Sequence, residues 1–338
     1  MVRCGPATWT PSLLAMMTEH WAEMPSAWAV RTSGLVKRYG RTLAVAGMDL
    51  NVPIGGVHAL LGPNGSGKTT TLRMLLGLIR ADSGTMELCG EAVPERLGDV
   101  IHQVGAIVES PKFYGSMSVR RNLEILAMSI GVNRRRVTEG LLEVGLGGRA
   151  ETRFRQCSLG MKQRLAIAAT LLKEPQVLIF DEPTNGLDPA GIQEIRTTIR
   201  ALAEAGRTVL ISSHLLGEVE QVADSVSIIG RGRVLLEGDL ATLLSGEHSV
   251  VVVEVNDHSL AHEVLRQAGY TVERAGPRLH VNRAGGAVAS DVARVLGLVG
   301  VWPHHLSVER STLESVFLEV TAKQHLTATQ GLNRSEAS

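Results

Sequence analysis

The chain has 338 residues, of which 44% are hydrophobic and 20% charged, and its formal net charge at pH 7 is +0. This ordinary globular composition allows one large domain and one small one, and the lack of a basic excess argues against a general binder of polyanions. Aromatic residues make up only 3%, which leaves few side chains for stacking on single-stranded nucleic acid.

The cysteines and the hydropathy pattern exclude two further classes. Cys4, Cys89 and Cys157 include no C-x-x-C pair, so neither a zinc site nor a disulfide framework is indicated, and a reduced cytosolic compartment fits best. No apolar run approaches the roughly 18–20 residues of a membrane-spanning helix. Residues 1–28 are expected to form a loosely ordered extension rather than a signal peptide, with an amphipathic membrane-surface helix as the alternative.

The first predicted elements are strands followed by a helix. Apolar alternation before Pro53 indicates β-hairpins, and Val57–Leu61 is typical of a buried strand. A glycine-rich loop follows at Gly62–Gly67. The spacing of leucine and isoleucine in Lys68–Ile79 then predicts a helix.

The middle of the chain is predicted to alternate between helices and buried strands. Residues from about 112 to 173 are mostly helical in pattern, with breaks at Gly131 and near residues 145–148. The apolar runs in QVLIFDEP and RTVLISSH are typical of central parallel strands. An amphipathic helix ending near Gly206 lies between them, and a hairpin turn is predicted at residues 230–232. The fold class is therefore α/β with a largely parallel sheet.

A second, smaller domain is predicted after a break near residues 243–247. The order of elements over residues 248–322 is β-α-β-β-α-β, which indicates a split βαβ arrangement. A helix in TLESVFLEVT follows. The polar residues 323–338 are expected to form a disordered tail.

The loop GPNGSGKTT at Gly62–Thr70 has the composition of a phosphate cradle. Glycine lets the backbone wrap closely around a polyphosphate and offer it many N–H donors, and the positive end of the next helix points at the same anion. In the spacing G-x-x-x-x-G-K-T, Lys68 is expected to reach the β- and γ-phosphates. The Thr69 hydroxyl is expected to hold Mg²⁺.

Two acids, Asp181 and Glu182, end the apolar run VLIF. The carboxyl end of a buried strand lies beside the phosphate loop in sheets of this kind. Asp181 is predicted to complete the Mg²⁺ shell through water, and Glu182 to orient and polarise an attacking water. Acids at a strand end are common, so this prediction depends on the phosphate loop that precedes them.

A second anion site is predicted in CSLGMKQRLAIAATLL, where Ser158 caps a helix that starts near Gly160. One nucleotide hardly needs two such sites from one chain. The pattern therefore suggests that a second chain supplies this one, with a plain capped helix as the alternative.

Taken in order, Gly62–Thr69, SLGMKQR, LIFDEPTNGLDP and ISSH resemble the motifs of an ATP-binding cassette (ABC) ATPase over about residues 29–240. The segment VGAIVESPKFYGSMSVRRNLEI and the closing LESVFLEVT are similar to those of bacterial multidrug, bacitracin and lantibiotic exporter ATPases. The resemblance implies a P-loop NTPase fold with a mostly parallel sheet, an antiparallel β subdomain and a helical subdomain. It assigns residues 29–242 to the ATPase domain and leaves residues 248–322 as an accessory α+β domain.

The resemblance also implies roles for individual residues. Two copies would sandwich two ATP molecules with Mg²⁺ in a head-to-tail dimer, with Ser158 and Gly160 contacting the γ-phosphate held by the other copy. Asp188 would communicate across the interface, and its alternative role as a helix cap is compatible with this. His214 would act with Glu182 on the γ-phosphate. The implied nucleotide-binding set is Tyr39 (stacking on adenine, or packing in its own hairpin), Gly62, Pro63, Asn64, Gly65, Ser66, Gly67, Lys68, Thr69, Thr70, Ser158, Gly160, Gln163 and Asp188.

Two departures from the family pattern stand out. The usual signature is L-S-G-G-Q, whereas here Leu159 and Met161 flank Gly160, although Ser158 and Gly160 remain. Glu109 stands where a Mg²⁺-contacting glutamine is usual. A carboxylate can still reach Mg²⁺ directly or through water, so Glu109 joins Thr69 and Asp181 as an expected metal ligand.

The resemblance further implies a partner in the membrane. The segment 110–123, with Phe113, Tyr114 and Met117, would dock a separate polytopic permease, although an ordinary helix-packing patch is the alternative. The expected function is export of a drug, peptide antibiotic or lipid-like substrate from the cytoplasmic face of the membrane, with no nucleic acid partner. Importer ATPases, ATPases acting on ribosomes or DNA, and a non-hydrolysing nucleotide sensor are the alternatives.

Overall fold

The computed structural model describes residues 28–109, 112–245, 250–282, 287–309, 312–318 and 320–321. These residues divide into two compact units, one ending at Gly238 and the other beginning at Asp239. Of the predicted extension over 1–28, only Trp28 is described, and it begins a strand; the predicted tail over 323–338 lies outside the described residues. Within the described ranges, no helix combines the length and the apolarity of a membrane span.

The strands of the described residues form three sheets. In chain order they are β1 (Trp28–Tyr39), β2 (Thr42–Met48), β3 (Asn51–Pro53), β4 (Val57–Leu61), β5 (Ser83–Leu88), β6 (Glu91–Val93), β7 (Val104–Ile107), β8 (Val177–Asp181), β9 (Thr208–Ser213), β10 (Ser225–Gly230), β11 (Arg233–Asp239), β12 (Val250–Glu254), β13 (Thr271–Ala275), β14 (Arg278–Asn282) and β15 (His305–Glu309).

The helices connect these strands and cover the sheets. They are α1 (Lys68–Leu75), α2 (Leu97–Val100), α3 (Val119–Ser129), α4 (Arg134–Glu143), α5 (Leu159–Thr170), α6 (Pro189–Glu204), α7 (Leu216–Val219), α8 (Leu240–Ser245), α9 (His258–Gln267) and α10 (Ala289–Leu298). A further helical segment covers residues 313–318 and 320–321.

The central sheet has the order β11-β10-β4-β9-β8-β7, and β10, β4, β9, β8 and β7 run parallel. Every residue of β4 and β9 is buried, as expected for strands covered on both faces. Because the strands are parallel, the loops that follow β4, β8 and β9 leave the sheet at the same edge. The α/β prediction with a mostly parallel sheet is confirmed.

An antiparallel sheet with the order β2-β1-β5-β6, and with β3 paired to β1, lies beside the central one. Helix α1 contacts strands of both sheets, and Leu72 and Leu75 share a buried core with Val30 and Leu60. The helix ends four residues before the predicted end at Ile79. Gly77 takes a left-handed φ of 66°, which ends the helix. Apolar residues on either side of Gly77 still pack against the core.

Helices α3, α4 and α5 form the helical part of the first unit. Ser118, Asn133 and Ser158 cap their N-termini, each accepting a backbone N–H. Gly131 and Gly145 take positive φ angles of 71° and 68° where α3 and α4 end. The predicted helical region and its glycine breaks are therefore confirmed.

The second unit has a four-stranded antiparallel sheet with the order β13-β14-β12-β15. The two helices α9 and α10 supply Leu265 and Leu296 to a core shared with Val253 and Val281 of the sheet. The chain order and the strand order together are those of a split βαβ fold, as predicted.

Candidate active site

The phosphate loop begins where β4 leaves the central sheet. A Cβ atom on Gly62 would lie 2.6 Å from the carbonyl oxygen of Ile229, and one on Gly67 would lie 2.7 Å from that of Ala44. Gly67 also has a φ of +105°. Both positions therefore need glycine, because a side chain would collide with backbone that cannot move aside.

The N-terminus of α1 is open toward this loop. Gly67 is the N-cap residue and makes no side-chain cap, and the first turn contains no acidic residue. The hydroxyl oxygen of Ser66 is buried and has no hydrogen-bond partner. Unpaired donors at a helix N-terminus and an orphaned buried hydroxyl fit an anion with several oxygen atoms, such as a polyphosphate.

Lys68 turns its ammonium group back over the loop. The residue is only 5% exposed, and Nζ donates to the carbonyl oxygens of Gly62 at 2.6 Å and Pro63 at 3.3 Å. Nζ also lies 3.3 Å from Oε1 of Glu182. Lys68 therefore places a buried positive charge beside the open N-terminus of α1. An anion bound there would neutralise that charge.

Asp181 ends β8 next to the start of α1. Thr69 Oγ1 donates to its Oδ2 at 2.6 Å, and Ser212 Oγ donates to its Oδ1 at 2.5 Å. The Thr69 hydroxyl and the Asp181 carboxylate are the hard oxygen donors that Mg²⁺ prefers. No cluster of three or more His, Cys, Asp or Glu suited to a metal occurs in the part of the chain described, but Mg²⁺ commonly takes only one or two carboxylates and fills its shell with phosphate and water.

Glu182 follows in a strained conformation. Its φ is 48°, which is uncommon for a residue with a side chain, and such strain is concentrated at functional sites. Oε2 lies 2.8 Å from Nδ1 of His214, whereas the buried Oε1 has no hydrogen-bond partner. One carboxylate oxygen is thus fixed by the histidine and the other faces Lys68.

The other predicted metal ligand, Glu109, lies in a different contact. Its side chain is 78% exposed and pairs with Nη2 of Arg73 at 3.0 Å. The structure therefore gives Glu109 a cationic partner on the outer part of α1, five residues beyond Lys68.

A second cluster gathers around the N-termini of α5 and α6. Ser158 accepts the N–H of Met161 at 3.2 Å, and Asp188 accepts that of Gly191 at 3.1 Å. A Cβ atom on Gly160 would lie 3.5 Å from Cα of Gly191, so the two helix ends touch. No hydrogen bond or ion pair between described residues joins this cluster to the phosphate loop.

Two predicted nucleotide contacts lie at the margins of these sites. Tyr39, at the end of β1, is 48% exposed, and Nζ of Lys37 lies 5.6 Å from its ring centroid. Its ring is therefore about half exposed and packs locally beside Lys37 of the same strand, which is compatible with both predicted roles. Gln163 lies half-buried in the second turn of α5, beyond Ser158 and Gly160.

Sequence reasoning missed Ser212, which holds both acids in place, and Thr184, which fixes the loop that follows them. Ser212 contacts both Asp181 and Glu182, and Thr184 donates to Oε2 of Glu218 at 2.7 Å, which ties the loop after β8 to α7. Strand β9 ends in two serines, and only the pairing of Ser212 with Asp181 distinguishes their roles.

Comparisons with known proteins agree with this geometry. The family model described as ABC transporter matches residues 45–185. The bacitracin transport ATP-binding protein BcrA of Bacillus licheniformis is 42% identical over 240 residues, which are 70% of this chain and 78% of that protein. The daunorubicin resistance ATP-binding protein DrrA3 of Streptomyces coeruleorubidus is 36% identical over 302 residues, or 87% and 96% of the two chains.

A solved structure shows the same similarity in three dimensions. The cbiO1 protein of Clostridium perfringens, part of the ABC transporter complex cbiONQ, matches with a TM-score of 0.60 and 27% identity over 72% of this chain and 94% of that one. A relative more than 30% identical that is matched over most of its length establishes the family. The chain therefore belongs to the ATP-binding proteins of the ABC transporters, and it is an ATPase.

Proposed function

We propose that the chain drives an exporter by binding ATP-Mg²⁺ in a head-to-tail dimer and hydrolysing it beside a separate membrane permease. The observation that carries this proposal is the convergence of Lys68, Glu182 and His214 next to the pair formed by Thr69 and Asp181. A cation, two oxygen groups that suit a metal ion, and a carboxylate–imidazole pair that suits acid–base chemistry thus meet at one edge of the parallel sheet. Phosphoryl transfer to water needs this combination.

In this proposal the loop Gly62–Thr70 binds the phosphates and Tyr39 stacks on the adenine ring. The open N–H groups at the start of α1 and the free hydroxyl of Ser66 take phosphate oxygens. Lys68 exchanges its contacts with loop carbonyls for the β- and γ-phosphates. The charge that the chain now neutralises with Glu182 is then neutralised by the nucleotide.

Thr69 and Asp181 would hold Mg²⁺, which would supply positive charge to offset that of the phosphates. Glu109 is a third oxygen ligand only if it leaves Arg73, and this makes it the weakest member of the set. Glu182 orients the attacking water and accepts its proton. His214 fixes the carboxylate through Oε2 and is proposed to act with Glu182 on the γ-phosphate.

The second cluster, with Ser158, Gly160, Gln163 and Asp188, is assigned to the nucleotide of another copy. It offers a capped helix end at the exposed residue Ser158, and no hydrogen bond or ion pair between described residues joins it to its own phosphate loop. Two copies arranged head to tail would place each such end against the other's γ-phosphate. A completed site would then exist only in the dimer, so that ATP binding closes the dimer and hydrolysis opens it.

The permease is proposed to dock on the segment 110–123, of which residues 112–123 are described. A surface depression of about 240 Å³ is lined there by Phe113, Tyr114, Ile125 and Leu126 among others. The buried Asn122 side chain accepts the N–H of Tyr114 at 2.7 Å and donates to its carbonyl oxygen at 3.1 Å. This clamp fixes the loop while the Tyr114 side chain stays 59% exposed, which is typical of a rigid docking surface.

The names of the relatives indicate the class of cargo. One is described by bacitracin transport and another by daunorubicin resistance, so a peptide antibiotic or a drug-like, amphipathic molecule is the proposed substrate class. Because a transport ATPase named for drug resistance protects a cell by removing the drug, export from the cytoplasmic face of the membrane is the direction proposed.

Capture of the tagged chain from gently solubilised native membranes tests this function. A co-purifying polytopic membrane protein, retained by the wild-type chain and by a Lys68→Ala variant, supports the exporter role, because docking does not need bound nucleotide. Recovery of ribosomes or DNA in place of a membrane protein contradicts it and favours an ATPase acting on those partners.

A further inference from the structure

Ser212 is a buried hydroxyl placed between the two acids of the site. It is 0% exposed and lies near the end of β9, paired in register with Leu60 on one side and with Asp181 on the other. Its Oγ donates to Oδ1 of Asp181 at 2.5 Å and accepts the backbone N–H of Glu182 at 2.9 Å. One atom therefore contacts both acidic residues.

The geometry explains why a hydroxyl is needed here. The strand β8 ends at Asp181, and Glu182 turns away with a φ of 48°, so its N–H lies beyond the end of the strand. A serine oxygen has one proton and two lone pairs, so it can accept that N–H while donating to the carboxylate. Without it, the partly buried N–H of Glu182 would lose its partner, at a cost that favours a different backbone conformation.

The same contact orients Asp181. Since Ser212 holds Oδ1, the other oxygen, Oδ2, is directed to Thr69, where the two oxygens lie 2.6 Å apart. The neighbouring Ser213 does not duplicate this function, because its hydroxyl accepts the N–H of Leu215 at 3.0 Å instead. Because of the register between β8 and β9, Ser212 rather than Ser213 contacts Asp181.

We propose that Ser212 is a positioning residue for ATP hydrolysis, which rests on the proposed function. It fixes the strained backbone of Glu182 and the rotamer of Asp181 together, so that the carboxylate that orients water and the carboxylate that holds Mg²⁺ are set by a single hydroxyl. The hydrogen bonds of its hydroxyl go to Asp181 and Glu182 rather than to the phosphate loop, so its removal should impair catalysis more than ATP binding.

The test compares Ser212→Ala, Ser212→Thr and Thr208→Val in the full-length chain. Thr208 is the matched control, because it is equally buried on the same strand and accepts the N–H of Gly55 at 2.7 Å, at the end remote from the acids. Three quantities are measured for each variant: kcat, ATP affinity in a chelator and with Mg²⁺, and the midpoint of thermal unfolding. ATP binding in the chelator also shows that a variant is folded.

Ser212→Ala is expected to lower kcat by about 10- to 100-fold, as removal of a group that orients metal ligands commonly does. Its ATP affinity in the chelator should be unchanged, and the gain in affinity on adding Mg²⁺ should fall by about 10-fold. Ser212→Thr, which keeps the hydroxyl, should restore both. Thr208→Val should lower the unfolding midpoint and leave the other quantities unaltered.

Two results would overturn the proposal. One is a wild-type kcat for Ser212→Ala. The other is a joint loss of kcat, chelator-phase ATP affinity and stability that Thr208→Val reproduces, which would make the residue merely structural. A parallel Glu182→Gln variant distinguishes failure of the Ser212 proposal from failure of the proposed function. If Glu182→Gln hydrolyses ATP like the wild type, the proposed function fails, whatever the result for Ser212.

Discussion

Nδ1 of His214 lies 2.8 Å from Oε2 of Glu182. The two residues follow β9 and β8, which are parallel neighbours in the central sheet, and β4 lies on the other side of β9. Parallel register thus brings residues 32 positions apart into contact, and Glu182 in turn lies 3.3 Å from Nζ of Lys68 in the phosphate loop. The proposed catalytic arrangement is a property of the sheet order, since no single loop contains it.

The first prediction concerns Lys68. Lys68→Ala removes a buried ammonium group that the loop carbonyls hold in place, so ATP affinity should fall by about 10- to 100-fold, the range for losing a charged hydrogen bond. Titration with ATP followed by calorimetry measures this. Lys173→Ala, at an exposed turn, is the matched control and should bind like the wild type. Equal affinity of the two variants would count against the phosphate-binding role.

The strand–loop–helix around Lys68 was predictable because the relevant chemistry is local. Glycine spacing, an apolar run and a lysine before two threonines lie within one short stretch, and the structure places them as expected. The end of α1 was predicted wrongly, because Leu76 and Ile79 stay buried or half-buried although Gly77 has already turned the chain. The spacing of apolar residues alone does not distinguish the end of a helix from a turn that packs against the core.

Contacts that depend on register between distant strands were not predictable from one sequence. The ISSH segment indicates a role for His214, whereas the role of Ser212 follows only from its pairing with Asp181. Likewise, the pairing of Glu109 with Arg73 depends on where the loop after β7 passes α1. These contacts are fixed by tertiary packing, for which the amino-acid pattern carries no local signal.

A buried polar network supplies a prediction about pH. Nδ1 and Nε2 of His58 lie 2.8 and 2.7 Å from the hydroxyls of Ser225 and Ser227. Ser227 donates to Oε1 of Glu237 at 2.5 Å, and Asn51 donates to both oxygens of that carboxylate. Burial raises the pKa of Glu237 to about 7 and lowers the pKa of His58 to about 3.

These two shifts have opposite effects on stability. Because the pKa of Glu237 is raised, with the charge of Asp49 adding to the effect of burial, its contribution is complete below pH 4.5 and is lost as the pH rises toward 7. Because the pKa of His58 is lowered, its contribution is complete above pH 6.5 and is lost as the pH falls toward 3. Between pH 4.5 and 6.5 the two slopes cancel.

Glu237→Gln should expose the slope of His58. Relative to the wild type, the free energy of unfolding of this variant is expected to rise by about 2–3 kcal/mol between pH 4.5 and 6.5. Urea unfolding at the two pH values measures the difference. Parallel pH profiles for the two proteins would show that Glu237 is not protonated in the folded state over this range.

The docking surface gives another prediction. Tyr114→Ala removes an exposed aromatic side chain from a rigid loop, so affinity for the membrane partner should fall by about 10-fold or more, as for an interface anchor. Leu142→Ala is the control, because Leu142 is 64% exposed on α4 of the same helical region. Comparable recovery of the permease with both variants would place the interface elsewhere.

ATP turnover and dimerisation of the Glu182→Gln variant test the central claim most directly. The account predicts that kcat falls by about 10²- to 10⁴-fold, the range for a lost general base, while ATP still binds and an ATP-bound dimer accumulates in size-exclusion chromatography. Glu204→Gln, at the exposed end of α6, should hydrolyse ATP and dimerise like the wild type. Wild-type turnover by Glu182→Gln, without a trapped dimer, would contradict the account.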